Sequence, residues 1–202
     1  MRNNFADAFF EKAKSDSLLT MCVADISPAG AMNEFRQMFP NRFINTGVAE
    51  QSMIGIAAGL AMAGLKPFAY TIATFALFRP FEFIRVDVCY QDLPVTIVGM
   101  GGGVVYSTLG GTHQAQEDIN VARTLPNLEV YSPCDPFETK MITYHRCEFA
   151  KGPAYMRIGK AGEKNLGSQE DFQLGFPRVL KSGSRICVVG HGSIMSKALK
   201  AV

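Results

Sequence analysis

Short apolar runs rich in β-branched residues alternate with stretches of helical periodicity along nearly the whole chain, which is the pattern of a parallel sheet covered by helices on both faces. The strand candidates are Leu18 to Ala24, Arg42 to Asn45, Pro67 to Ile72, Pro94 to Gly99, Leu128 to Tyr131 and Pro153 to Ile158. Between them lie helix candidates at Asn4 to Asp16, Ala31 to Phe39, Ala49 to Ala63, Pro80 to Tyr90, Gln116 to Thr124 and Asp135 to Phe149. The expected fold is therefore α/β, with a doubly wound parallel six-stranded sheet. The 202 residues can bury one full domain core with little left for a second.

After Ile158 the pattern lapses into a polar, glycine-bearing linker, and residues 185–190 then read as a fresh strand with a helix from Ser193 onward. The expected division is a domain over 1–160, a linker over 161–184 and the first βα unit of a second α/β domain over 185–202. One βα unit cannot bury its own apolar face, so the natural chain is expected to be longer.

A charge of +2 and a charged fraction of 19% provide no basic field for nucleic acid, and a small molecule or a protein is the expected partner. The longest apolar run, Met53 to Leu65, contains three glycines and falls short of the ~20 residues a bilayer needs, so it reads as a buried helix. Asp7 and Glu11 interrupt the N-terminal apolar residues and do not suit a signal peptide, which makes the cytoplasm the expected compartment. The five cysteines form no CxxC pair, and His145 with Cys147 is too isolated to suggest zinc.

Open α/β sheets bind ligands beyond the carboxyl ends of their strands, so the segments that follow the strands are where chemistry is expected. The second strand leads into Asn45-Thr46-Gly47-Val48-Ala49-Glu50-Gln51, with Glu50 in the first turn of the most apolar helix. Taken alone, Glu50 reads first as a helix N-terminal capping carboxylate. The third leads into Thr74-Phe75-Ala76-Leu77-Phe78-Arg79-Pro80-Phe81. Phe75 and Phe78 could stack a flat ligand there, although composition alone favours core packing for both. The fourth leads into a run from Met100 to Gln114 with five glycines and His113 at its end. It lacks the GK[ST] of a nucleotide loop, and a lone histidine is more often structural than catalytic. Gly190-His191-Gly192-Ser193 lacks the third glycine of a dinucleotide turn.

In this order and spacing the segments resemble the pyrimidine domain of transketolases, in particular the C-terminal subunit of the split form in which two chains build one enzyme. The matching blocks are Ala24-Asp25-Ile26-Ser27, Arg42 to Gln51, Ala57-Ala58-Gly59-Leu60-Ala61, Thr74-Phe75, Gly111-Thr112-His113-Gln114, Leu125-Pro126-Asn127-Leu128 and Gly152 to Arg157. Gly47-Val48-Ala49-Glu50-Gln51 is the most specific of them.

The resemblance implies a thiamine diphosphate-binding fold and a role for Glu50 in hydrogen-bonding the ring nitrogen of the cofactor's aminopyrimidine, so that the thiazolium carbon can lose its proton. A carboxyl with that task wants a dry pocket, and the helix after Glu50 could wall it. Phe75 matches the aromatic that stacks on the pyrimidine, with Phe78 and Phe81 as further walls and Val48 beside Glu50. Asp25 matches a position near the cofactor at the subunit seam. His113 matches a substrate-contacting histidine counted with Glu50 among the catalytic residues, and Arg157 a substrate-phosphate ligand.

The Gly-Asp-Gly segment and following asparagine that hold the diphosphate and Mg2+ in this family are missing from the chain. An N-terminal diphosphate-binding subunit is therefore the expected partner, in an α2β2 heterotetramer with a homodimeric core. Transketolases usually carry histidine where Gly101 stands, aspartate where Leu109 stands, and a phosphate-binding serine where Ala29 stands. Cofactor activation is thus expected intact and sugar recognition altered. Ketol transfer between sugars is the leading expectation. A deoxyxylulose phosphate synthase-like or 2-oxoacid dehydrogenase β-like subunit, and a non-catalytic regulatory partner, stand as alternatives.

Overall fold

A computed structural model describes residues 1–28, 30–166 and 172–202. Six strands form one parallel sheet: β1 (Leu19–Val23), β2 (Phe43–Asn45), β3 (Lys66–Ile72), β4 (Thr96–Met100), β5 (Glu129–Tyr131) and β6 (Ala154–Ile158). Their order across the sheet is β2-β1-β3-β4-β6-β5, and every pairing is parallel. All six lie within a residue or two of the runs expected from sequence; the four inner strands β1, β3, β4 and β6 are largely apolar because both their faces are buried, and polar or turn-forming residues set their ends.

The strands alternate their side chains between two cores. Met21, Tyr70, Val98 and Met156 face one core with Phe5 and Phe9 of α1 (Arg2–Ala13), Met32 and Phe35 of α2 (Met32–Met38). Cys22, Ala69, Ile97 and Tyr155 face the other with Met53, Ile54 and Ala57 of α3 (Glu50–Met62). The period of two along each strand thus places consecutive residues on opposite helical layers.

The segment expected as one helix from Pro80 to Tyr90 winds without a break from Phe81 to Cys89, but its turns widen partway along. A short helix α4 (Ala73–Leu77) precedes it, α5 (Phe81–Phe83) starts after Pro80, and residues Ile84–Cys89 wind as a π-helix. The Tyr90 amide donates to the Arg85 carbonyl at 3.0 Å, a widened turn that periodicity does not disclose. Helix α6 (Asp118–Arg123) is shorter than expected, and α7 (Pro136–Phe149) is capped at its start by Asp135, whose carboxylate accepts from the Glu138 amide at 2.8 Å.

Residues 185–190 do not form the expected strand. No strand pairing involves them, and Ile186 and Val189 are 83% and 86% exposed. The pattern suits a strand, but a strand exists only through a neighbouring ladder, and none is offered among the described residues. The helix expected from Ser193 onward does form, as α8 (Met195–Ala201). The segment before it is tied to the main sheet by the Gly192 amide, which donates to the Ser132 carbonyl at 3.1 Å. Arg178 pairs with Asp135 and Glu138, each at 2.8 Å.

Candidate active site

Asn45 ends β2 with its Oδ1 accepting from two amides, Asp25 and Gly47, each at 3.0 Å. Thr46 Oγ1 donates toward the carbonyls around it, with Val23 O at 3.2 Å. These bonds hold together the connections leaving β1 and β2, and they deliver Glu50 to the first position of α3 with only 1% of its surface exposed. A buried carboxylate needs a partner. Arg79 supplies it, with Nη1 donating to Glu50 Oε2 at 2.7 Å.

Arg79 follows Phe75 by four positions, one helical turn on, and its guanidinium lies 4.4 Å from the centre of the Phe75 ring. Against the same ring stands His113, with centroids 5.1 Å apart and planes at 73°. His113 is flanked in turn by Tyr106 at 6.0 Å, and its Nδ1 lies 2.9 Å from the Thr112 hydroxyl. Lys160 Nζ sits 4.4 Å above the Tyr106 ring. One continuous row therefore runs Glu50, Arg79, Phe75, His113, Tyr106, Lys160, along the carboxyl ends of the central strands.

The structure brings Glu50, Phe75 and His113 together in that row. Phe78 and Phe81, expected as further walls, pack against the second core, the one that holds the apolar residues of α3 after Glu50, whereas Phe75 packs against the first. Val48 is 73% exposed on the connection before α3. Asp25 is exposed and holds a left-handed backbone with φ of 60°, a conformation that Asp tolerates better than most residues. Arg157, expected to hold a substrate phosphate, lines a pocket with Gly102 and Gly103 and is itself held by two protein partners. Its Nε pairs with the buried Asp118 at 3.2 Å and its Nη2 donates to the Ala115 carbonyl at 3.0 Å. Burial pushes the Asp118 carboxyl above its usual range, with Arg157 and the Tyr155 hydroxyl at 2.8 Å pulling against that shift.

The glycine run after β4 makes room for side chains. Gly101 has φ of 77°, and a Cβ there would collide with Cε2 of the Tyr106 ring. A Cβ at Gly102 would collide with Arg157 Nε. The Tyr106 hydroxyl is turned inward, donating to Met100 Sδ at 3.0 Å, and burial raises its pKa. Leu109, in a short 3-10 turn (Ser107–Leu109), is 53% exposed. Ala29 lies outside the described residues.

Sequence reasoning missed Arg79, Tyr106 and Lys160 as members of the row. The spacing of Arg79 four residues after Phe75 was the only local signal available. Among the described residues no group of three or more His, Cys, Asp and Glu side chains is placed to hold a metal ion. No helix among them is long and apolar enough to cross a membrane.

Glu50, buried at the head of α3, and Phe75 in α4 thus both stand beyond the carboxyl ends of the strands of this sheet. Residues 1–162 match the family model described as transketolase, pyrimidine binding domain, and the chain belongs to that family. Among relatives, it is 32% identical over 202 residues to a subunit of the apulose-4-phosphate transketolase of Phocaeicola vulgatus, covering 99% of this chain and 64% of that protein. It is likewise 32% identical to the SqwH subunit of a 6-deoxy-6-sulfo-D-fructose transketolase from a Clostridium species, covering 100% of this chain and 62% of the other. A solved split gene transketolase, described as an inactive beta4 tetramer, superposes with a TM-score of 0.86 at 37% identity, covering 99% of this chain and 65% of that one. The chain thus spans somewhat under two thirds of the length of these relatives.

Proposed function

We propose that the chain is the pyrimidine-binding part of a split, thiamine diphosphate-dependent transketolase, moving a two-carbon ketol unit between sugars or sugar phosphates. The observation that carries this is the pairing of a 1%-exposed Glu50 with the Phe75 face, joined by a planar N–H donor. An aminopyrimidine has the same needs: a flat surface to lie on and a carboxyl beside its ring nitrogen. The Arg79 guanidinium, flat and donating, is a stand-in for that shape.

Bound thiamine diphosphate would supply an electron sink beside the ketone of the donor sugar. Glu50 would hold a proton against the ring nitrogen, in a pocket from which the apolar residues of α3 exclude water. Phe75 would keep the ring flat, and His113 would face the substrate. With no Gly-Asp-Gly segment in this sequence, a diphosphate-binding N-terminal subunit would hold the diphosphate and Mg2+, in an assembly of the α2β2 kind. Residues 1–160 would form the pyrimidine domain, 161–184 the linker and 185–202 the opening of the next domain. Two relatives whose names specify apulose-4-phosphate and 6-deoxy-6-sulfo-D-fructose support an altered donor sugar.

The test is Glu50→Gln in the enzyme assembled with its diphosphate-binding subunit. Loss of a general acid–base group slows a reaction by about 10² to 10⁴. Exchange of the thiazolium proton, followed by NMR after rapid quench, should slow by that order while the fold is kept. An exchange rate equal to that of the wild type would reduce Glu50 to a helix cap.

A further inference from the structure

We infer that Arg79 is a further residue of the cofactor seat, one that occupies the place of the aminopyrimidine and sets cofactor affinity by competing for it. This rests on the cofactor reading of Glu50 and Phe75 and goes beyond it, because neither residue alone requires a competitor.

The contacts of Arg79 duplicate those the ring would make. Its guanidinium is planar, lies 4.4 Å from the Phe75 ring centre and donates to Glu50 Oε2 at 2.7 Å. His113 already stands against the Phe75 ring at 5.1 Å. A flat ligand lying on that ring and donating to Glu50 Oε2 would need the place the guanidinium holds, and the two cannot both be there.

Of the groups involved, Arg79 is the one free to leave. Its side chain is 39% exposed, against 2% for Glu50. It sits between the end of α4 and Pro80, outside any regular helix. Glu50 begins a helix of 13 residues, and Phe75 is packed into the first core. Rotation about the side-chain bonds of Arg79 would vacate the seat without moving the backbone. The empty seat has a reason to be filled as well. A buried carboxylate without a partner is costly, and the guanidinium satisfies it until a ligand brings its own N–H groups.

The consequence is quantitative. Where a site is open for only a fraction of the time, the apparent dissociation constant is the intrinsic one divided by that fraction. A seat that Arg79 fills about nine-tenths of the time would raise the apparent Kd about tenfold.

The experiment titrates thiamine diphosphate, with Mg2+ present, into the enzyme assembled from this chain and its diphosphate-binding subunit, using calorimetry. Arg79→Ala should tighten binding on the order of tenfold. In a Glu50→Gln background the same substitution should tighten it less, because the amide holds the guanidinium more weakly. Unchanged or weaker binding by Arg79→Ala would overturn the inference. A merely damaged fold would also weaken binding, so tightening separates competition from disruption. The site reading itself fails on different data: Glu50→Gln and Phe75→Ala both leaving cofactor affinity and proton exchange at wild-type values.

Discussion

The ring of Tyr106 fills the volume that any side chain at position 101 would need, and Gly101 holds φ of 77° in addition. Glycine at 101 and tyrosine at 106 therefore form a matched pair. Gly101→Ala should destabilise the chain by about 2 to 4 kcal/mol, combining a left-handed backbone with an overpacked contact. Gly101→Ala with Tyr106→Ala should show a coupling that recovers the overpacking part only. Denaturant unfolding measures both, and a loss below about 0.5 kcal/mol for Gly101→Ala would mean that the Tyr106 ring is not fixed there.

Arg146 is the largest fully buried side chain among the described residues, and it ties α7 to the sheet. Its Nε donates to Thr96 Oγ1 at 3.1 Å, Nη1 to Glu129 at 2.7 Å and Nη2 to the Gly152 carbonyl at 2.6 Å. Arg146→Ala removes three bonds and leaves a cavity, for an expected loss of about 2 to 4 kcal/mol in urea unfolding. Arg146→Met keeps most of the volume and should lose less. Equal losses for the two would locate the contribution in the hydrogen bonds alone.

Thiol reactivity should separate the cysteines. Burial pushes Cys22 and Cys147 up to about 12 and Cys89 up to about 11, while Cys187 is exposed. The thiolate is the reactive form, so at pH 8 the three buried thiols present about one part in a thousand or less of it, besides being inaccessible. A disulfide reagent at pH 8 should modify Cys187 quickly, and Cys187→Ser should abolish that phase. Fast labelling of Cys22 or Cys147 in the native chain would contradict the packing of the sheet.

Without its proposed partner the chain should bind thiamine diphosphate weakly and turn nothing over, since its sequence lacks the Gly-Asp-Gly segment that holds the diphosphate and Mg2+ in this family. Calorimetry with and without the diphosphate-binding subunit compares the two cases. Submicromolar, Mg2+-dependent binding by this chain alone would rule out the split arrangement.

The donor sugar should differ from the common ketose phosphates. Leu109 is exposed where an aspartate is usual in the family, and the Tyr106 hydroxyl, buried and donating to Met100 Sδ, has no proton left to offer in place of a donor at Gly101. A sugar hydroxyl desolvated without a partner costs about 1 to 3 kcal/mol, which is about tenfold or more in kcat/KM. Xylulose 5-phosphate and fructose 6-phosphate should be poorer donors than deoxy or otherwise modified sugars by that order. Equal specificity constants would show that other groups restore the lost contacts.

The alternation of apolar runs and helical stretches specifies the parallel six-stranded sheet and puts Glu50, Phe75 and His113 after its strands, while the likeness of their blocks to transketolase pyrimidine domains singled them out as candidates. Those features are local: a strand buried on both faces is largely apolar, and the residues after each strand in an open sheet face the ligand side. The tertiary structure alone decided what stands between and around them. Arg79 meets Glu50 across 29 positions, and Arg157 is claimed by Asp118 across 39, because the sheet order brings chain-distant connections side by side. The π-helical turn at Ile84–Cys89 and the missing strand at 185–190 have the same origin, since packing against neighbours and the presence of a ladder are properties that no segment carries alone.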